Sequence, residues 1–152
     1  MLAIDSDVLA VHHIFTRDAR HHENALFMAQ TATMKRGVTI YNLLELCGIL
    51  ASASKLVEAR KLFKQYLAAV DIQVLYPTVS LRSPADFWAS HTEELMQRVE
   101  RGMRLGDAVV LWVAEDTGCD ALVTWNKRHF EGKTSLHLYT PTEWLQEYEH
   151  GA

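Results

Sequence analysis

Short apolar runs alternate with stretches of helical periodicity along the whole chain, and that alternation restricts the fold more than any single motif. LAID at 2–5, the run 38–41, IQVLY at 72–76, and the runs 121–125 and 136–139 read as strands. Between the first two lie VLAVHHIF and ENALFMAQTATMK, the second closed by Lys35-Arg36-Gly37, cations and a glycine where a helix stop favours them. NLLELCGILASA follows as a helix opened by Asn42 as N-cap. In SKLVEARKLFKQYLAAV, Leu56, Ala59, Leu62, Phe63, Tyr66, Leu67 and Val70 recur at helical spacing. Ser83-Pro84-Ala85-Asp86 opens another helix running to about Arg101, with serine at the cap and proline in the first turn. The next begins at Gly106-Asp107, and its residues 108–114 are apolar all round, as in a central buried helix. Pro141 opens the last, PTEWLQEYE. Strands alternating with helices predict a three-layer α/β/α sandwich on a mostly parallel sheet. No linker or repeat interrupts residues 1–152, so one domain is expected.

Net charge is −4, from 15 basic and 19 acidic residues, so the total shows none of the basic excess common in nucleic-acid binders. A local basic patch could still do that electrostatic work. No apolar run reaches the ~20 residues of a membrane span. MLAID lacks the basic start of a secretory signal, so a cytoplasmic protein with no membrane association is expected. Cys47 and Cys119 sit in apolar surroundings and read as small buried hydrophobes rather than a disulfide or metal pair.

In an open parallel sheet, ligands bind outside the carboxyl ends of the strands. Asp5 ends the first strand, and Asp7 lies two residues on. Glu45 falls in the first turn of the helix after strand two and interrupts the apolar run Leu43-Leu44-x-Leu46-Cys47. Asp107 sits in the first turn of the apolar helix, where backbone N–H groups favour negative charge. Thr124 and Asn126 end strand four. Converging carboxylates repel unless something positive stands between them, and hard oxygen ligands without Cys or His suit Mg²⁺ or Mn²⁺. Each acid alone also reads as an N-cap, a turn residue or a solvated charge. Asp120 lies at the far end of strand four, roughly 20 Å away at ~3.3 Å per residue. Asp116 is about 13 Å down its helix at ~1.5 Å per residue, so neither is expected at the site.

His12-His13 and His21-His22 invite a zinc reading, but adjacent helical histidines point apart and no third ligand stands at a zinc spacing, so exposed residues are expected. Trp125 and Phe130 read as core anchors. AIDSDVL also resembles the Asp-x-Asp start of haloacid-dehalogenase-type phosphatases, but Leu9 stands where that family has Thr or Val. No acidic pair follows the lysines behind Thr124 either. IQVLYP carries no receiver-type phosphoacceptor, and neither GxGxxG nor GxxxxGK[ST] occurs.

AIDSDVL, YNLLEL, RLGDAVVLWVAEDTGCDALVTWNKRHF and the closing TPTEWL, taken in order, resemble the PIN domains, and at this size most resemble the toxins of VapBC-type toxin–antitoxin pairs. The resemblance implies a PIN-like fold and a Mg²⁺- or Mn²⁺-dependent endoribonuclease leaving a 5′-phosphate and a 3′-hydroxyl. It implies Asp5, Glu45 and Asp107 as metal-binding acids, with Ser6 and Thr124 orienting them or a water. Asn126 stands where many members carry a fourth acid; an amide could hold a metal-bound water but adds no charge, leaving one metal or two open. Lys127, Arg128, His129 and Lys133 would face the RNA backbone. A homodimer and a cognate antitoxin protein, inserting a segment near the acids, are further implications. The alternative is a PIN-like module that binds RNA or protein without cutting.

Overall fold

A computed structural model of the chain describes residues 1–78 and 83–151. Five strands, β1 (Leu2–Ile4), β2 (Arg36–Thr39), β3 (Gln73–Leu75), β4 (Ala121–Val123) and β5 (His137–Tyr139), form one sheet in the order β3-β2-β1-β4-β5. Every pairing is parallel. Side chains of a strand alternate between faces, and the two cores follow that alternation. Leu2, Ile4, Ala121 and Val123 enter one core, while Ala3 and Leu122 enter the other.

The first core is covered by α1 (Ser6–His13), α2 (His21–Gln30), α3 (Ile40–Ser52), α4 (Leu56–Ala68) and α7 (Pro141–Gly151), with Phe27 and Leu43 fully buried. The second lies under α6 (Leu105–Asp116), with α5 (Pro84–Glu100) packed outside it. This is the expected three-layer sandwich. α6 buries Ala108, Val110, Leu111, Val113 and Ala114, which is why its apolar residues run nearly all round. α5 starts as its sequence indicates, Ser83 capping Asp86 in a reciprocal box with Pro84 in the first turn.

Several boundaries differ from the sequence expectation, among them the end of β4 at Val123, so that Thr124 and Asn126 lie just beyond the strand. The helix expected over 23–35 spans His21–Gln30, a 3₁₀ turn Thr31–Thr33 follows, and Arg36 opens β2 instead of closing a helix. Arg36 is buried because its guanidinium finds fixed acceptors: the Met28 carbonyl at 2.7 Å, the Thr31 hydroxyl at 3.0 Å and the Asp71 carboxylate. β2 ends at Thr39, and Thr39 rather than Asn42 caps α3. Of the first histidine pair, His12 is half-buried, while His13 is exposed as expected with its Nε2 2.8 Å from the Tyr66 hydroxyl; partial desolvation holds both imidazoles below their ordinary pKa, His13 at about 4.

β2 and β3 meet closely at Gly37, where a Cβ would stand 2.8 Å from Leu75 Cγ. Leu75 is itself buried, so it has little room to retreat. Gly37→Ala is therefore expected to destabilise the fold by about 1–3 kcal/mol through overpacking; an unchanged urea midpoint would show that the strands do not meet this tightly.

Candidate metal centre

The strand order reverses between β1 and β4, and their carboxyl ends flank the crevice where open α/β sheets place ligands. Ile4 pairs with Val123, and the Asp5 N–H donates to the Val123 carbonyl at 3.0 Å. The residues leaving β1 and β4, Asp5 and Thr124, are thereby set side by side. Asp5 is also the N-cap of α1, its Oδ1 accepting the Ser6 N–H at 2.8 Å.

α3 brings two groups to the same edge. The Asn42 amide donates to Asp5 Oδ1 at 2.9 Å while its own oxygen accepts the Thr39 hydroxyl at 2.7 Å. Glu45, one turn further on, accepts the Ser6 hydroxyl at 2.7 Å. Because α3 starts at Ile40, Glu45 lies in the second turn, not the first. Asp7, in the first turn of α1, closes the cluster from the β4 side. Its Oδ2 accepts the Thr124 hydroxyl (3.0 Å), the Trp125 N–H (3.0 Å) and the Asn126 amide (2.9 Å).

Three carboxylates thus stand at one edge, Asp5 buried, Asp7 half-buried and Glu45 exposed. Burial above all, then the charge of Asp7 and that of Glu45, raises the Asp5 pKa to about 7, against hydrogen bonds from Thr124 and Ser6. Asp7 is raised as well, mainly by burial. Among the described residues none of the three acids forms an ion pair. Arg20 is the cation whose field reaches Asp7, and its guanidinium lies 5.4 Å from the Trp125 ring centre.

Asp107 has its own partner at this end of the sheet. Its carboxylate meets His129 Nδ1 at 3.3 Å. His129 belongs to a 3₁₀ turn, Lys127–His129, capped at Asn126, and its N–H donates to the Asn126 carbonyl at 2.9 Å. Asp107 therefore joins the edge through that turn. Among the described residues no three His, Cys, Asp or Glu side chains stand close enough to hold a metal ion as placed. Mg²⁺, however, keeps several waters and needs only one or two protein carboxylates. The donor chemistry fits such an ion: all-oxygen, anionic, and with Asp7 Oδ1 buried without a partner.

The basic run after β4 has partners inside the protein. Lys127 Nζ bridges both Glu143 oxygens at 2.9 Å, and Lys133 Nζ donates to the carbonyls of Gly102 (3.2 Å) and His129 (3.1 Å). Arg128 is exposed. Trp125 is half-buried against the first core, its Nε1–H donating to Asn24 at 2.9 Å, and Phe130 is fully buried. The excluded acids lie elsewhere: Asp120 pairs with the N-terminal ammonium, and Asp116 accepts the Thr78 N–H at 2.8 Å. Asn42 escaped the sequence reading because it passes for a cap. Asp7 was visible only as a second acid two residues from the first.

No family model matches the chain, and no curated protein matches it. Solved structures do. VapC20 of Mycobacterium tuberculosis, described as a Sarcin-Ricin loop cleaving toxin, superposes with a TM-score of 0.65 at 17% identity over 90% of this chain and 98% of its own. VapBC-1 from nontypeable Haemophilus influenzae gives 0.61 at 17% identity, covering 93% and 98%. The fold is PIN-like. A toxin–antitoxin complex from Klebsiella pneumoniae shares it, with a TM-score of 0.60 at 15% identity over 93% and 98% of the two chains. At such identities the likeness is one of fold, so the chemistry of this PIN-like chain has to be argued from its own residues.

The raised acids fix a pH dependence. Between the ordinary carboxylate pKa and about 7, the unfolded chain loses protons that folded Asp5 retains, so stability falls as pH rises through that window. Without divalent metal, the melting temperature should be lower at pH 8 than at pH 5, by an effect on the order of a few kcal/mol. Asp5→Asn should flatten the profile; an equally steep profile in that variant would remove Asp5 as its source.

Proposed function

We propose that this protein is a metal-dependent endoribonuclease acting as the toxin of a type II toxin–antitoxin pair. The observation that carries the reading is the gathering of Asp5, Asp7 and Glu45, uncompensated by any ion pair, at the switch point of a sheet whose fold is that of VapC toxins. Asp5 and Glu45 would hold Mg²⁺ or Mn²⁺, with Asp107 brought in from His129. When bound, such an ion lowers the pKa of a bound water and stabilises charge on phosphoryl oxygens.

The chain's own residues do the rest. Ser6 bridges Asp5 and Glu45 through its N–H and hydroxyl, holding the two carboxylates in one register. Asn42 fixes Asp5 Oδ1, and the carboxylate so held would be one of the groups that hold the ion or its water. Thr124 and Asn126 keep the β4 exit against α1. Arg128, exposed in the turn after β4, would be available for an RNA phosphate. Among the described residues no helix is long and apolar enough to cross a membrane. A cognate antitoxin and a homodimer belong to the same proposal, supported by toxin–antitoxin complexes among the structural neighbours.

A second reading, an RNA- or protein-binding module that does not cut, draws on the pairing of Asp107 with His129 and on the lack, among the described residues, of three ligating side chains close enough to hold a metal ion. One experiment separates the two. Purified protein should cleave RNA with Mg²⁺ or Mn²⁺, cleavage should stop with EDTA, and Asp5→Asn or Asp107→Asn should lower the rate at least about 100-fold. RNA binding without cleavage under either ion, or full cleavage by both variants, would favour the non-catalytic module or a contaminating nuclease.

A further inference from the structure

We infer that Asp7, and not Asn126, presents the carboxylate oxygen that receives the cation or its water shell on the β4 side of the site. The inference rests on the metal-dependent reading above and adds a residue to it. Asn126 has its amide nitrogen committed, donating to Asp7 Oδ2 at 2.9 Å. With Thr124 and the Trp125 N–H it forms a three-donor grip on a single carboxylate oxygen. That grip fixes the carboxyl group while leaving Oδ1 buried with no partner among the described residues.

An unsatisfied buried carboxylate oxygen is among the costlier groups a fold can carry. The obvious rescuer, Arg20, is committed elsewhere: its Nε and Nη2 bind both oxygens of Asp18, at 2.8 and 2.7 Å. Asp5 and Glu45 are the other acids at this edge, and the Val8 N–H, which also acts on the Asp7 carboxyl, does not meet Oδ1 at hydrogen-bond geometry. On this reading a cation, or a water of its shell, satisfies Asp7 Oδ1 beside the Asp5 carboxylate that Asp7 already perturbs. The amide at position 126 also becomes intelligible, because a carboxylate there would set like charge against Asp7 where an N–H now donates.

The test is Mn²⁺ affinity of the full chain, read by electron paramagnetic resonance of free Mn²⁺, independently of any cleavage. Asp7→Asn keeps an acceptor for Trp125 N–H and Thr124 while removing the charge, so its metal-free melting temperature should not fall. Its Kd for Mn²⁺ should rise about tenfold or more. Asn126→Ala, which keeps the carboxylate, should raise Kd no more than about threefold on the same scale. Binding by Asp7→Asn within about threefold of the parent, or a loss in Asn126→Ala as large as in Asp7→Asn, overturns the assignment. If Asp7→Asn does not fold, Asn126→Ala decides alone: retained affinity supports Asp7, and a tenfold loss refutes it. A parent chain that binds no Mn²⁺ removes the metal-dependent reading and this inference together. A parent that binds Mn²⁺ and cleaves RNA, with Asp7→Asn binding normally, removes the inference only.

Discussion

The burial of Asp5 and Asp7 at the exit of β1 is the constraint around which the sheet edge is organised. Carboxylates removed from water with like charge nearby are destabilised unless protonated or compensated. The surrounding groups neither separate them nor neutralise them. Ser6, Asn42, Thr124, Trp125 and Asn126 supply hydrogen bonds from neutral donors, which fix carboxylate geometry without cancelling charge. A lysine or arginine in their place would quench the field. The arrangement is oriented, anionic and short of positive charge, which is the state in which a divalent ion binds with the least rearrangement.

The topology explains why this occurs at one place only. β1 and β4 are neighbours in the sheet, and the strand order runs outward from them in both directions. Their exits leave from adjacent points, the β2 exit lies on the other side of β1, and α1 begins at once after β1. Packing against both faces holds those exits rigid. Ile4 and Val123 are fully buried in one core and Leu122 in the other, so Asp5 and Thr124 follow strands with no freedom to slide. A site carried by such strand ends is positioned by the core, and its electrostatic cost is borne by packing on the two faces.

Periodicity and caps made most of the fold legible: the alternation of strand and helix, the Ser83 cap and the all-round apolar α6 needed no tertiary information. What failed needed it. Thr39 and Asn42 are both good N-caps three residues apart, and local preference does not choose between them. The choice falls on Thr39 because β2 ends there and Asn42 then completes the capping box while reaching Asp5. Arg36 looks like a helix-terminating cation until carbonyls from distant positions close around it. The three candidate acids were legible as chemistry, but not the angle at which each would arrive. Asp5 and Glu45 share Ser6, whereas Asp107 is diverted to an imidazole whose position depends on the turn after β4.

The segment ALVTWNKRHF shows how far a run of charges can mislead when counted as free. Thr124, the Trp125 backbone and Asn126 bind Asp7; Lys127 braces α7 through Glu143; His129 holds Asp107; and Phe130 closes the second core. Most of the run therefore ties the β4 exit to three helices, and Arg128 is the cation it leaves exposed. Each phosphate contact adds affinity roughly in proportion to the charge neutralised, so a chain of net charge −4 with its local cations internally paired has little general attraction for a polyanion. On the nuclease reading, a divalent ion then becomes part of substrate binding as well as of chemistry, because it adds positive charge beside acids that form no ion pair among the described residues. Discrimination between RNAs would accordingly rest on the shape that fits around the crevice rather than on long-range electrostatic capture.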